Sequence, residues 1–190
     1  MRYRRSPTDR RAEKAAVDDP AVVLEAGLRF LESRARSEAE VRRRLTFAGY
    51  RSELVEDAIA RLTELGMLDD AAFARAWVES RDRARPRGER ALRQELSLKG
   101  VERTLRDEVL AERRAAPDGD APDVDAAGAA RLLARNARAL ARVADPRVRR
   151  QRAYALLARN GFDPATCASA SAALIRAAEP GDGGYVVDSE

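Results

Sequence analysis

The sequence contains no histidine and only one cysteine among its 190 residues. Without histidine the chain lacks the commonest general base and the commonest metal ligand of enzymes. A single cysteine, Cys167, excludes an intrachain disulfide and a cysteine-rich zinc site. No remaining nucleophile has a credible base beside it. We therefore expect a protein that is not an enzyme and that needs no cofactor and no metal.

Aromatic residues are also scarce, at 5%, whereas charged residues make up 36% of the chain. This balance leaves a lean core with much solvated surface and favours helices over sheets. No segment approaches the roughly 20 apolar residues of a membrane helix. The basic N-terminus lacks the apolar centre of a secretory signal. These absences predict a cytoplasmic protein without a membrane partner.

Lysine is rare as well, because Lys14 and Lys99 are the only two and the other basic residues are arginines. The formal net charge is +4. A high arginine and alanine content can simply reflect genome base composition. The positions of the arginines are therefore better evidence than their number.

Three glycines mark rough copies of one unit. Each has a leucine four residues before it and an apolar residue directly after it. A glycine in the left-handed conformation ends a helix, and the apolar residue beyond it then packs back. The period of about 50 to 60 residues indicates a repeat protein. The glycines, the leucines and the following residues are Gly49, Gly100 and Gly161; Leu45, Leu96 and Leu157; Tyr50, Val101 and Phe162.

The middle copy departs from this pattern. Thirteen residues past the glycine it has Arg113, where the outer copies have Leu62 and Leu174. Six residues past the glycine it has Arg106, where the third copy has Cys167. We expect its neighbours to fill the core instead, and Cys167 to be a buried, inert thiol. The neighbours are Leu105, Val109 and Leu110.

Helix starts are marked by caps. Asp19 and Asp145 each precede a proline, which is typical of an N-cap followed by the first helical residue. Ser37 and Glu40 have the spacing of a capping box. Asp69 is predicted to cap a helix too, which explains the Asp69-Asp70 pair better than a metal site does.

Together these signals predict an all-α protein of nine helices in three tandem three-helix repeats. The first helix of the third repeat is expected to continue through Leu133, Ala137, Leu140 and Ala144. Both termini have too little apolar content to order, so deleting them should leave stability almost unchanged. The predicted segments are a disordered basic extension (1–18), repeat 1 (19–66), repeat 2 (67–115), a linker (116–123), repeat 3 (124–178) and a disordered tail (179–190).

The second repeat, "LDDAAFARAWVESRDRARPRGERALRQELSLKGV", resembles the central repeat of RecX-type regulators of the RecA recombinase. The matching elements include Phe73, Gly88, Leu96 and the Lys99-Gly100 pair. The similarity extends to "SEAEVRRRLTFAGY" in the first repeat and "YALLARNGF" in the third, and covers about residues 20 to 176. The basic N-terminal extension lies outside this pattern.

The resemblance implies three-helix repeats in an elongated, curved array and a non-enzymatic role. The protein would lodge in the groove of the RecA–DNA filament. There it would restrain ATP hydrolysis, strand exchange and coprotease activity during DNA repair and the SOS response. RecA, single-stranded DNA and double-stranded DNA are the implied partners. Separately, nothing in the sequence demands a dimer, so we expect a monomer.

The candidate contact residues are cationic or polar and lie mostly on the second repeat. Leu92 and Leu96 mark the buried side of its middle helix, so the opposite side faces solvent. Such a face suits phosphate oxygens or a partner's carboxylates, although it could equally be ordinary solvated surface. The predicted residues are Arg81, Arg83, Arg85, Arg87, Arg90, Arg93, Gln94, Lys99 and Arg103, with Arg149, Arg150 and Arg152 on the third repeat.

Two further interpretations bear on function. The run Arg42–Arg44 is treated as an ordinary polar helix face, and Trp77 as a core residue rather than a base-stacking platform. Three-helix units with basic second helices also resemble helix-turn-helix domains. A DNA-binding transcriptional regulator is therefore the alternative to a modulator of the RecA filament.

Overall fold

The computed structural model describes residues 6–115 and 123–177. Within these ranges the chain forms helices and turns with no strand, which confirms the all-α prediction. No helix in these ranges is both long and apolar enough to cross a membrane. The eleven helices are α1 (Pro7–Ala15), α2 (Pro20–Leu31), α3 (Glu38–Ala48), α4 (Ser52–Glu64), α5 (Asp70–Ala84), α6 (Glu89–Lys99), α7 (Arg103–Arg114), α8 (Val124–Arg135), α9 (Ala137–Ala141), α10 (Pro146–Arg159) and α11 (Pro164–Arg176).

The contacts divide the chain into two compact units. One comprises Met1–Ser80 with Arg93–Glu112, and the other Arg81–Leu92 with Arg113–Glu190. In the first unit α2, α3 and α4 pack around a core that includes Val41 and Leu62. In the second unit α8, α10 and α11 enclose a core that includes Cys167.

The three glycines end their helices as predicted. Gly49, Gly100 and Gly161 have φ angles of 107°, 82° and 83°, in the left-handed region. The leucine four residues before each is at most 2% exposed, and the apolar residue after each is at most 6% exposed. Val109 and Leu110 are buried in the middle copy, also as expected, whereas Leu105 is half-buried.

The predicted caps are present. The Asp19 carboxylate accepts a hydrogen bond of 2.9 Å from the backbone N–H of Ala21. Ser37 and Glu40 form the reciprocal bonds of a capping box. Asp145 accepts from the N–H of Arg147 at 2.7 Å. Each bond satisfies a donor that the helix itself leaves unpaired, so these residues fix where α2, α3 and α10 begin.

The prediction of a disordered segment 1–18 is wrong for its helical part, because α1 spans Pro7–Ala15. A second capping box starts it: Asp9 N donates to Ser6 Oγ, and Ser6 N donates to Asp9 Oδ2, both at 3.1 Å. The low apolar content of this segment predicts disorder, whereas the Ser-Pro-x-Asp sequence predicts a helix start. The predicted linker up to 122 and the predicted tail 179–190 lie outside the described residues.

The single helix expected at the start of repeat 3 is also corrected. It breaks at Asn136 into α8 and α9. The Asn136 side-chain amide donates to the Leu132 carbonyl at 2.8 Å, and this local bond competes with continuation of the helix. Leu133 and Leu140 are buried, whereas Ala137 is exposed.

Repeats 1 and 2 meet within the first unit at what we call the first junction. Ser37 Oγ donates to the Lys99 carbonyl at 2.6 Å, so the start of α3 meets the end of α6. The N–H of Glu38 donates to Asp70 Oδ1 at 2.9 Å. A Cβ added at Gly100 would overlap the Cβ of Ala39. The first junction thus comprises Ser37, Glu38, Ala39, Asp70, Lys99 and Gly100.

Repeats 2 and 3 meet within the second unit at the second junction, which repeats this pattern. The N–H of Gly88 donates to the Asn160 carbonyl at 3.0 Å. The N–H of Glu89 donates to Asp125 Oδ2 at 3.1 Å. A Cβ added at Gly161 would overlap Ala91. The second junction comprises Gly88, Glu89, Ala91, Asp125, Asn160 and Gly161.

Candidate protein and nucleic-acid interface

Helix α6 has one buried and one solvent-facing side, as its sequence predicts. Leu92 and Leu96 are fully buried. Because successive residues turn by about 100°, the side chains between them point outward. Exposed polar residues of α6 are Arg90, Arg93, Gln94 and Ser97.

Lys99, at the end of α6, is placed differently from its prediction as a contact residue. Its side chain is only 20% exposed, and its ammonium lies 2.8 Å from Glu40 Oε1 and 4.7 Å from the centre of the Trp77 ring. Burial by itself would raise the pKa of Glu40, but the hydrogen bond and charge of Lys99 hold that pKa below its ordinary value. Lys99 therefore stabilises the first junction.

Trp77 packs as a core residue rather than as a stacking platform. Its ring stacks on Phe73 with the centroids 6.0 Å apart, and its indole N–H donates to Glu95 at 2.9 Å. Phe73 is buried, as expected of the apolar face of α5. Trp77 itself is half-buried, and these contacts with Phe73 and Glu95 lie within the first unit.

Two predicted residues share one carboxylate. Arg93 donates to Asp107 Oδ1 at 3.2 Å, and Arg103 lies 3.9 Å from Asp107 Oδ2. The side chain of Arg103 is 86% exposed and that of Arg93 is 45% exposed. Both guanidinium groups therefore approach the same carboxylate on solvated surface.

The four arginines around the end of α5 differ in exposure. Arg83 and Arg85 are exposed and Arg81 is half-buried. Arg87 is half-buried as well, because its guanidinium donates to the side-chain oxygen of Asn160. Arg83 and Arg85 therefore lie at the surface, whereas Arg87 helps to hold the second junction.

The arginines of α10 divide in the same way. The Arg149 guanidinium donates to the carbonyls of Val143 at 3.0 Å and Ala144 at 3.4 Å. Arg149 therefore fixes the loop that precedes its own helix. Arg150 and Arg152 are exposed.

One enclosed arginine was not predicted to have a role. The side chain of Arg113 is 5% exposed and makes two bonds of 2.8 Å to Asp82 and one of 2.7 Å to Asp125. Burial would lower its pKa, but the bonds to the two carboxylates outweigh that effect and raise it. The sequence contains a signal for this buried ion pair, because Arg113 occupies a position that is apolar in the other copies. An arginine in such a place needs buried partners.

The paired aspartates at the start of α5 act as caps. Asp69 accepts from the N–H of Ala72 at 2.9 Å, while Asp70 accepts from Glu38. Burial raises the pKa of Asp70, partly opposed by that bond. Within the described residues no group of three histidine, cysteine or acidic side chains could hold a metal ion. Cys167 is buried, and burial raises the pKa of its thiol.

Comparison with known proteins identifies the repeats. Residues 24–62 match the family description "RecX, first three-helix domain", and residues 69–110 match "RecX, second three-helix domain". The chain is 31% identical over 145 residues to the regulatory protein RecX of Chlorobium phaeobacteroides, which covers 76% of this chain and 88% of that relative. The chain belongs to the RecX family.

Other RecX proteins match over shorter stretches. The RecX of Mycobacterium sp. strain JLS is 43% identical over 94 residues, which is 50% of this chain and 49% of the relative. The RecX of Mycolicibacterium smegmatis is 45% identical over 83 residues, covering 44% of this chain and 42% of the relative. These alignments span about half the length of each mycobacterial relative.

The RecX fold is supported by a solved structure. The crystal structure of RecX from Lactobacillus salivarius superposes with a TM-score of 0.70 at 18% identity, covering 83% of this chain and 97% of that one. At this level of identity the likeness concerns the fold. The RecX resemblance drawn from the second repeat is therefore confirmed, together with the repeat architecture.

In this RecX fold the twelve predicted contact residues separate by exposure. Lys99, Arg87 and Arg149 make bonds that hold junctions or loops, and Arg81 is half-buried. The other predicted contact residues are exposed, and they lie on both units. They are Arg93, Gln94 and Arg103 in the first unit, and Arg83, Arg85, Arg90, Arg150 and Arg152 in the second.

Proposed function

We propose that this protein is a non-enzymatic regulator that binds the RecA–DNA filament and restrains its ATP hydrolysis, strand exchange and coprotease activity. It acts as a cytoplasmic monomer and contacts both RecA and DNA, single-stranded or double-stranded. Membership of a family whose relatives carry the name "Regulatory protein RecX" supports a regulatory role.

The observation that carries the proposal is the outward face of α6. Arg90, Arg93 and Gln94 are exposed along it, while Leu92 and Leu96 anchor the opposite side. The helix lies within the segment that matches the second RecX domain. A partner can therefore contact this face without unfolding the repeat.

The side chains on this face suit a polyanion. A guanidinium presents a planar set of donors that can bind phosphate or carboxylate through two bonds at once, and it remains charged at any physiological pH. Gln94 adds an amide donor and an amide acceptor. Each phosphate neutralised on a single strand contributes a log–log salt slope of about −0.7.

The test is charge reversal on α6, read out on RecA. We expect Arg90→Glu/Arg93→Glu to weaken binding to the filament, flatten the salt dependence of binding and relieve inhibition of DNA-stimulated ATP hydrolysis together. The fold should survive, because both positions face solvent. Circular dichroism checks that the variant remains helical.

The matched control is Arg42→Glu/Arg43→Glu on α3. Arg42 is paired with Glu56 at 2.8 Å much as Arg93 is paired with Asp107 at 3.2 Å, so each double reversal removes at least one surface ion pair. We expect the control to inhibit nearly as the unaltered protein does. If a folded Arg90/Arg93 variant inhibits equally well, α6 is only solvated surface and the assignment is wrong.

A transcriptional regulator remains the alternative outcome. It would prefer one duplex sequence strongly and leave RecA unaffected. Binding measured on several duplexes of equal length distinguishes this result from that of a filament regulator, for which sequence preference is weak.

A further inference from the structure

Each junction covers a helix-ending glycine with the start of a helix from the preceding repeat. Ala39 of repeat 1 lies against Gly100, and Ala91 of repeat 2 lies against Gly161. The turn at the helix-ending glycine is therefore the edge of a repeat against which the preceding repeat packs. Gly49 is the equivalent edge of repeat 1, and no repeat precedes repeat 1 among the described residues.

Helix α1 covers the Gly49 edge instead. A Cβ added at Gly49 would lie 2.6 Å from Cγ of Arg11 and 2.8 Å from the Arg11 carbonyl oxygen. Such distances are inside van der Waals contact, so the backbone of α1 lies directly on the turn. The contact has the same character as the contact of Ala91 with Gly161.

Two further contacts hold α1 in place. The ammonium of Lys14 lies 4.9 Å from the centre of the Tyr50 ring, which belongs to the residue directly after Gly49. Such a cation–π contact is attractive, and more so where water is excluded. Val17, just beyond the helix, packs against the core of the first unit.

The length of α1 indicates that it depends on this docking. It has 9 residues. Isolated helices shorter than about 12–15 residues are marginal in water, even with a good cap. The capping box of Ser6 and Asp9 is therefore insufficient alone, and contact with the Gly49 edge stabilises the helix.

We propose that α1 is a cap for the repeat array. Helix α1 covers the glycine turn of repeat 1. On repeats 2 and 3 the equivalent turn packs against the preceding repeat. At each of these turns a left-handed glycine packs against a helix: against the Arg11 side chain and backbone at Gly49, against the Cβ of Ala39 at Gly100, and against the Cβ and backbone of Ala91 at Gly161. The proposal does not depend on any role in RecA regulation.

The opposite end of the array has no matching small residue. Ala39 and Ala91 lie ten and nine residues before Gly49 and Gly100, and the equivalent positions before Gly161 are Gln151 and Arg152. Both are exposed. Long polar side chains there do not offer the close approach that a glycine turn requires.

The test compares two glycines that both have a positive φ, 107° at Gly49 and 67° at Gly66, but differ in their surroundings. A Cβ added at Gly66 would meet nothing within 4 Å. Gly66→Ala therefore measures conformational strain alone, for which we expect the melting temperature to fall by about 5 °C. Gly49→Ala adds the collision with α1 and should lower it by roughly twice as much.

Both substitutions are repeated in full-length chain carrying Ala12→Pro. Proline inside α1 removes a backbone donor and breaks the helix. In that background we expect the excess loss of melting temperature in Gly49→Ala over Gly66→Ala to shrink to the difference in backbone strain between the two φ angles, because α1 no longer lies on the turn. Ala12→Pro alone should also lower it.

Hydrogen exchange gives an independent measurement. The amides of residues 10–15 should be protected in the unaltered protein and in Gly66→Ala, but not in Gly49→Ala or Ala12→Pro. The proposal is overturned if those amides exchange freely in the unaltered protein. It is equally overturned if the excess effect of Gly49→Ala does not shrink when α1 is broken.

Discussion

The two junctions share a backbone arrangement but use different polar side chains. In both, an aspartate accepts from the first N–H of a helix and an alanine lies on a glycine turn. The first junction adds the Ser37 hydroxyl and the Lys99–Glu40 ion pair. The second adds the enclosed guanidinium of Arg113 between Asp82 and Asp125.

This difference shows which part of the repeat is constrained. Close approach of two backbones requires glycine and alanine, so those positions recur. The polar groups need only be satisfied, and a hydroxyl, an ammonium or a guanidinium can each do so. The stability lost on removing each side chain should differ, however, because the side chain of Lys99 is 20% exposed and that of Arg113 only 5%.

The largest effect should follow removal of the Arg113 side chain. Arg113→Ala leaves two carboxylates facing each other without their cation, and breaking a buried pair on one side costs about 3–5 kcal/mol. The free energy of unfolding, measured by chemical denaturation, should fall by that amount.

The matched control is the surface pair Arg75–Glu112, whose side chains are 54% and 51% exposed. Arg75→Ala should cost far less stability than Arg113→Ala, because water screens exposed pairs. Equal losses for the two variants would mean that Arg113 is no more important than a surface arginine.

Substituting the glycines with alanine tests how closely the two backbones approach at each junction. A Cβ at Gly100 meets chiefly the Cβ of Ala39, whose Cα is 3.8 Å away. A Cβ at Gly161 meets backbone as well, with the Cα of Ala91 at 2.9 Å. Each substitution to alanine should cost about 2–4 kcal/mol from strain and overpacking together.

Compensating changes should then behave differently. Ala39→Gly should recover part of the loss caused by Gly100→Ala, because it removes the colliding atom. Ala91→Gly should recover little of the loss caused by Gly161→Ala, because the backbone collision remains. Denaturation of the four single and two double variants measures both couplings; similar recovery at the two junctions would contradict this account.

The sequence predicted the backbone part of the fold because its signals are local. Glycines end α3, α6 and α10, and Ser37 and Asp145 begin α3 and α10, all through contacts within a few residues, so these boundaries could be placed from spacing alone. Arg113 could not be interpreted in this way, since its partners Asp82 and Asp125 are defined only by the folded second unit. The break at Asn136 was missed because apolar spacing outweighed a single amide.

The predicted contact residues illustrate the same limit. Spacing identified the outward face of α6, because helix geometry alone decides it. It could not distinguish Arg90 from Lys99, since the Glu40 and Trp77 that hold Lys99 lie elsewhere in the sequence. Whether the exposed arginines contact RecA or DNA stays a prediction.

The smallest expected effect is a pH dependence at the first junction, where two carboxyl groups shift in opposite directions. Lys99 holds the pKa of Glu40 below its ordinary 4.5 despite partial burial. Glu40 therefore contributes stability at neutral pH that is lost as the pH falls through the lowered pKa. Burial raises the pKa of Asp70 above its ordinary 3.8, so Asp70 makes the opposite contribution as the pH falls towards 3.8.

Single substitutions should reveal the two opposing contributions. Glu40→Gln should be less stable than the unaltered protein at pH 7 and should lose less stability between pH 5 and pH 3, roughly the range in which carboxyl groups titrate. Asp70→Asn, which can still accept from the N–H of Glu38, should instead lose more stability than the unaltered protein over that range. Unfolding free energies measured across the range decide the matter. If both variants follow the unaltered protein, neither carboxyl group is linked to folding, and the ion pair of Lys99 with Glu40 contributes no more than an exposed pair would.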